Sequence, residues 1–181
     1  MKSIGVFGSA FNPPHAGHLN VIEQGARVFD KIILVPSYCH AFGKVMLPFG
    51  LRLALTKALI LGIELETEIE ISTIEQDIAK HRDDGEPVYT FDVLSALQER
   101  HADCSIRFML GPDNAKYETW SKFQRSEEID KKWGAWIAKE QVFVRSTQIR
   151  SLISNGQLVS EEVCPPAVYQ LLLSEEVSFN E

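Results

Sequence analysis

Two histidines three residues apart, His15 and His18, close a segment that runs Gly8-Ser9-Ala10-Phe11-Asn12-Pro13-Pro14-His15-Ala16-Gly17-His18. At that spacing on a helix the imidazoles share one face. A helix starting here would add its leading N–H groups and positive dipole end, a combination that gathers anions. Gly8 lets a ligand approach the backbone, Pro13-Pro14 stiffens the loop and Gly17 leaves the rings unshielded. The segment has neither the Gly-Lys-Ser/Thr ending of a P-loop nor the G-x-G-x-x-G of a dinucleotide fold. The chemistry on offer is a phosphate site with two tunable donors. A helix cap beside a surface histidine, or a pair of metal ligands, is the plainer use of such spacing.

A second candidate anion site lies far along the chain. Ser146 or Thr147 can cap a helix running through Arg150 to Ile153, which would leave hydroxyls, N–H groups and the Arg150 fork facing one anion. Taken alone, Ser-Thr before a helix is ordinarily just a cap.

These residues need elements to hold them. Ser3 to Phe7 and Lys31 to Val35 read as strands buried on both faces, bounded by Gly8 and Pro36. His18 to Phe29 between them carries Leu19, Ile22, Ala26 and Phe29 at helical spacing, the pattern of a β-α-β crossover. A helix over about Leu51 to Leu61, a strand at Ile69 to Ile71, a helix over Phe91 to Arg100 and a strand at Ile106 to Leu110 continue the alternation. Lys80 to Pro87 reads as a surface loop. The expected fold is α/β, a doubly wound parallel sheet, with one domain over residues 1–181 and a helical C-terminal part from about 147. Ligands of such sheets sit beyond the carboxyl ends of strands, which directs attention to 8–18, 36–44 and 111–120.

Composition narrows the function. The 181 residues carry a formal charge of −7, unlike a general nucleic-acid binder with its basic face. Apolar runs such as Ile32 to Pro36 fall far short of the roughly 20 residues that span a bilayer. Met1-Lys2 leads directly into a strand with no secretory pattern, so a cytoplasmic protein is expected. Cys39, Cys104 and Cys164 lack metal or redox spacing and read as reduced thiols.

The segment Gly8-x-x-Phe11-Asn12-Pro13-x-His15-x-Gly17-His18 resembles the G-x-x-F-[DN]-P-x-H-x-G-H signature of the nicotinate and nicotinamide mononucleotide adenylyltransferases. Val144-Arg145-Ser146-Thr147-Gln148-Ile149-Arg150 is similar to their I-S-S-T-x-I-R motif, with Arg145 in place of the first Ser. Tyr89-Thr90-Phe91-Asp92 resembles their S-Y-T-x-D element, and Leu110-Gly111-Pro112-Asp113-Asn114 followed by Trp120 their G-x-D-N…W element. The likeness covers about Ile4 to Arg150. It implies a Rossmann-like nucleotidyltransferase fold. The implied reaction moves AMP from ATP, with Mg²⁺, onto a pyridine mononucleotide, and Thr90 with the N–H groups opening the helix after Tyr89 favours nicotinate mononucleotide. Nicotinamide mononucleotide, phosphopantetheine or nucleotide binding without turnover are the alternatives.

By the same resemblance, His15, His18 and Arg150 act on the phosphates, and Gly8, Ser9, Ala10, Phe11, Gly17, Gly111, Asp113, Ser146 and Thr147 hold ATP. Lys44, Thr90 and Trp120 hold the acceptor, with Pro36 and Arg52 completing the pattern around Lys44. The residues themselves allow these roles: Asp113 can accept from ribose hydroxyls, and the Trp120 indole can stack on a pyridine ring. A surface turn and plain core are their other readings. Asp92 is expected to cap its helix and face away from the acceptor. The expected partners are these small molecules, without nucleic acid or membrane, and a homo-oligomer is compatible with the sequence.

One departure from the family's pattern concerns spacing. Ala135 to Ala138 reads as a strand, yet Gln141 to Val144 begins another extended run almost at once. Neighbouring parallel strands need a crossover of a dozen or more residues, so either one run lies outside the sheet or both form one extended segment.

Overall fold

Apolar side chains in these strands alternate between two destinations, and the alternation builds two cores. In the computed structural model, which describes residues 1–39, 45–83 and 86–179, strands β1 (Ser3–Ser9), β2 (Lys31–Pro36), β3 (Glu68–Ile71), β4 (Ser105–Leu110) and β5 (Ala135–Ile137) form one parallel sheet in the order β3-β2-β1-β4-β5. Phe7, Ile32, Leu34 and Met109 enter one core with helices α1 (Ala16–Ala26), α2 (Phe49–Ile60), α7 (Ser146–Ser154) and α8 (Pro166–Ser174). Ile4, Val6, Ile33, Val35, Ile106 and Phe108 enter the other, against α3 (Ile74–Lys80), α4 (Thr90–Arg100) and α6 (Ser126–Lys132). Successive strand residues point to opposite faces, so near-continuous apolar runs fill both sides at once.

Close packing fixes the first crossover. Gly5 faces the α1 side, where a Cβ would stand 2.5 Å from Met109 Sδ and 2.6 Å from the Phe29 ring. Any larger residue would force the Met109 and Phe29 side chains out of their places.

The doubly wound parallel fold expected from the sequence is present. Its finer reading needs correction at the edges. β1 extends to Ser9 and α1 begins at Ala16, while the short helices α3, α5 (Tyr117–Trp120) and α6 were not anticipated. Gln141 to Val144 lies outside the sheet, which resolves the short-link problem: β5 ends at Ile137 and a non-sheet link leads to α7. Side chains of α1 hold that link. Gln24 exchanges two bonds with the Lys139 backbone (2.9 and 3.0 Å), and Asn20 Nδ2 donates to Gln141 Oε1 at 3.1 Å. Among the described residues no helix is long and apolar enough to cross a membrane.

Candidate active site

The direction of the sheet order reverses between β1 and β4, and the residues of interest collect beyond the carboxyl ends of those two strands. His15 is the N-cap of α1: its Nδ1 accepts from the Gly17 N–H at 3.0 Å. His18, in the same turn, accepts the His15 N–H on its own Nδ1 at 3.2 Å. An imidazole nitrogen that accepts a backbone N–H carries no proton, so the neutral form of each ring is protonated on Nε2. For His18 that Nε2–H donates to Ser9 Oγ at 3.0 Å. The ring is backed by Phe11, fully buried with its centroid 4.9 Å away.

Neutrality is enforced by the surroundings. Burial lowers the His15 pKa to about 4, with the Arg145 charge adding to the effect. Burial also pulls His18 well below its ordinary value, helped by His15 and Arg145. Both rings are therefore neutral N–H donors near pH 7. Gly17 is required by the same crowding, since a Cβ there would lie 2.9 Å from His15 Cε1 and 3.2 Å from the Val144 carbonyl.

The start of α7 is bound to the β1 loop across most of the chain's length. Ser146 Oγ donates to the Pro13 carbonyl at 2.8 Å and Arg150 Nη1 to the Asn12 carbonyl at 2.8 Å. Neither Ser146 nor Thr147 caps the helix as the sequence reading expected. Arg145 occupies the cap position without a side-chain bond to the turn, and Ser146 is the first helical residue. Ser146 and Arg150 thus stand beside the histidine loop, with Thr147 exposed next to them.

Two cavities open here. A smaller one of about 150 Å³ is lined by Gly8, Ser9, His15, Gly17, His18, Gly111, Asp113, Asn114 and Arg145, among others. The larger, about 700 Å³, is lined by Ser9, Ala10, Ser37, Glu75, Tyr89, Thr90, Asn114, Lys122 and Phe123, among others. Gly8, Ser9 and Asn114 belong to both, so the cavities meet at the end of β1. Of the residues assigned to ATP, Gly8, Ser9, Gly17, Gly111 and Asp113 border the smaller space. Ala10 borders the larger, and Phe11 supports a histidine from below. Thr90, assigned to the acceptor, borders the larger space. Trp120 stands behind its wall, stacked on Phe108 at 5.8 Å with Nε1 bonded to Asp130 at 2.9 Å, while Phe108 and Phe123 face the cavity. Lys44 lies outside the described residues.

Arg52 is used differently from its expected place beside the acceptor phosphate. It is 1% exposed and donates to the carbonyls of Leu47, Ala10 and Tyr38 at 2.9, 2.8 and 3.3 Å. It pins three loop segments together. Asp92 does cap α4, accepting from the Tyr89 N–H at 3.1 Å and from Arg82 at 2.9 Å. Sequence reasoning missed Glu75, which accepts the Tyr38 N–H at 2.8 Å and borders the larger cavity. Burial pushes its pKa up to about 7 against the bond from Tyr38 and the charge of Arg52. It missed Lys122 and Phe123 as wall residues as well. Their only signal was closeness in sequence to Trp120.

Against this geometry the comparisons with known proteins are specific. The cytidylyltransferase-like family matches residues 6–157. A relative from Myxococcus xanthus, provisionally named nicotinate-nucleotide adenylyltransferase, is 31% identical over 91% of this chain and 89% of its own. The chain belongs to the nicotinate-nucleotide adenylyltransferase branch of the cytidylyltransferase-like family. A crystal structure from Vibrio parahaemolyticus with the same provisional name shares 36% identity and a TM-score of 0.79, covering 96% of this adenylyltransferase-family chain and 99% of that one. A nicotinic acid mononucleotide adenylyltransferase from Plasmodium falciparum, solved with NaAD, has the same fold at 16% identity and a TM-score of 0.78, covering 98% of this chain and 97% of that one.

Proposed function

We propose that the chain transfers AMP from ATP to nicotinate mononucleotide, forming the deamido-NAD dinucleotide and pyrophosphate, with residues 1–181 acting as one domain in the cytoplasm. The observation that carries this reading is the meeting of two cavities at Gly8, Ser9 and Asn114, beside two neutral imidazoles. One cavity suits the nucleotide and the other its acceptor.

In this reading a phosphate oxygen of the acceptor forms a bond to the α-phosphorus of ATP as the bond from that phosphorus to the bridging oxygen breaks. The electron pair leaves with pyrophosphate. The acceptor phosphate is already ionised, so no protein base has to remove a proton, and catalysis reduces to alignment and charge stabilisation. His15 and His18 offer Nε2–H groups to the α-phosphate oxygens, contacts that strengthen as charge builds there. Arg150, Ser146, Thr147 and the N-terminal turn of α7 receive the β- and γ-phosphates. Mg²⁺ arrives with ATP as part of the substrate. Among the described residues no group of three His, Cys, Asp or Glu side chains comes together to hold a metal of its own.

For the acceptor, the opening turn of α4 at Thr90 borders the larger cavity, and Asp92 is engaged by Tyr89 and Arg82. Helix-opening N–H groups favour a carboxylate over an uncharged amide, which supports nicotinate over nicotinamide. The test is pyrophosphate release with ATP, Mg²⁺ and a panel of nicotinate mononucleotide, nicotinamide mononucleotide and phosphopantetheine. The highest kcat/KM is expected for the nicotinate form. A clear preference for nicotinamide would overturn the choice of acceptor, and nucleotide binding without release in any arm would overturn turnover itself.

A further inference from the structure

We propose that Arg145 is an added triphosphate-binding residue, parked in this structure on Asp113 and Glu140, and that it passes to the phosphates of ATP on binding while Asp113 is released to the ribose. The proposal rests on the adenylyl-transfer reading and assigns that site one more ligand contact and a moving part.

Arg145 stands where the resembled motif has Ser, directly ahead of Ser146 at the cap of α7. Its Nη2 is paired with Asp113 of the loop after β4 and hydrogen-bonded to Glu140 of the link before α7, and its Nη1 donates to the Val144 carbonyl at 3.0 Å. Asp113, Arg145, His15 and His18 all border the smaller cavity. Arg145 is near enough that its charge helps keep both imidazoles neutral. The guanidinium is thus already beside the proposed phosphate donors.

Volume gives an independent reason for movement. At about 150 Å³ the cavity is small beside the roughly 300–1,000 Å³ of pockets that enclose small-molecule ligands. The Asp113–Arg145 pair joins two of its walls, and parting it widens the space. The side chains of that pair are 52% and 40% exposed, the setting in which ion pairs contribute least. A triphosphate offers Arg145 several charged oxygens and two-point bonding in exchange. Asp113 meanwhile loses a partner and gains two ribose hydroxyls as donors.

The test compares wild type, Arg145→Ser and Arg145→Lys by calorimetry with α,β-methylene ATP and with adenosine, alongside melting temperature and pyrophosphate release. Loss of a charged phosphate contact is expected to weaken the ATP analogue roughly ten- to hundredfold in Arg145→Ser, with partial recovery in Arg145→Lys. Adenosine should bind the Ser variant as well as or better than wild type, since it gains nothing from the guanidinium and no longer has to part the pair. Equal analogue affinity in wild type and Arg145→Ser would overturn the proposal, as would an equal loss for both ligands, which is the mark of a purely structural residue. Release by wild type with unchanged analogue binding in the variant sinks only the Arg145 role. The split between ligands without any release sinks only the transferase reading. Wild type binding neither ligand would sink both.

Discussion

His15 and His18 cap one another's helix turn: the His15 N–H donates to His18 Nδ1 at 3.2 Å, and the ring centroids lie 3.8 Å apart. Each Nδ1 is committed to a backbone N–H, so each Nε2 carries the proton, and that of His18 is held on Ser9 Oγ at 3.0 Å. The feature that makes the pair a helix cap is the one that orients it as a pair of donors. Capping and the proposed phosphate contacts therefore draw on one arrangement.

His18→Ala removes the donor held on Ser9 and the acceptor for the His15 N–H. From what single preorganised donors contribute, turnover is expected to fall on the order of 10²-fold or more, with a smaller change in the ATP Michaelis constant. Steady-state kinetics with saturating acceptor measure both, and near-normal turnover would remove His18 from the phosphate site.

Arg150→Lys keeps the charge and a donor for the Asn12 carbonyl but loses the planar fork. The expected result is an ATP Michaelis constant raised by about tenfold or more, since hydrogen bonds to charged groups are worth roughly 1.5–3 kcal/mol, with little change in melting temperature. A marked drop in melting temperature with unchanged kinetics would make Arg150 a loop fastener only.

Acid should act on the fold through the same histidines. The pKa of His15 is about 4 in the folded chain against about 6.5 unfolded. Between those values the unfolded chain takes up a proton that the folded one refuses. Stability is intact above about pH 6.5 and falls as pH drops toward 4, by up to about 3 kcal/mol from this residue. Urea unfolding at pH 7.5 and 5 should show a smaller loss in His15→Gln than in wild type. An equal loss would place the acid sensitivity elsewhere.

Glu75 pulls the other way. Its folded pKa of about 7 lies above its ordinary value of 4.5, so the folded chain favours the protonated form and stability declines as pH rises from about 4.5 to 7. Glu75→Gln mimics that protonated form while keeping an oxygen for Tyr38. Its melting temperature relative to wild type should therefore rise between pH 5 and 8, and a difference that stays flat across that range would contradict the buried-carboxyl account.

What could be read from the sequence depended on how local the signal was. β1, α1 and β2 were legible because each is an apolar run or a helical repeat closed by Gly8 or Pro36. The histidine pair was legible because His15, Gly17 and His18 sit within a single turn. Partners chosen across the fold were not. Ser146 looked like a cap because its true acceptor, the Pro13 carbonyl, lies 133 residues away. Arg52 resembled a ligand for phosphate because nothing near it reveals that its donors go to Leu47, Ala10 and Tyr38. Trp120 was expected to stack on the acceptor ring, whereas its ring stacks on Phe108, a contact that follows from the position of β4 and not from spacing. The short helices α3, α5 and α6 carry too few turns for a period to show.

The bonds from Ser146 and Arg150 back to Pro13 and Asn12 also set an order of events at the ribosome. Every strand among the described residues precedes residue 146, so each is synthesised before α7, and domains begin to fold during synthesis. The histidine loop must wait for these distant partners before its bonds are complete. A nascent chain stalled before α7 would hold every strand of the sheet yet lack Ile149, Val168 and Leu172 of one core and both bonds that tie the histidine loop.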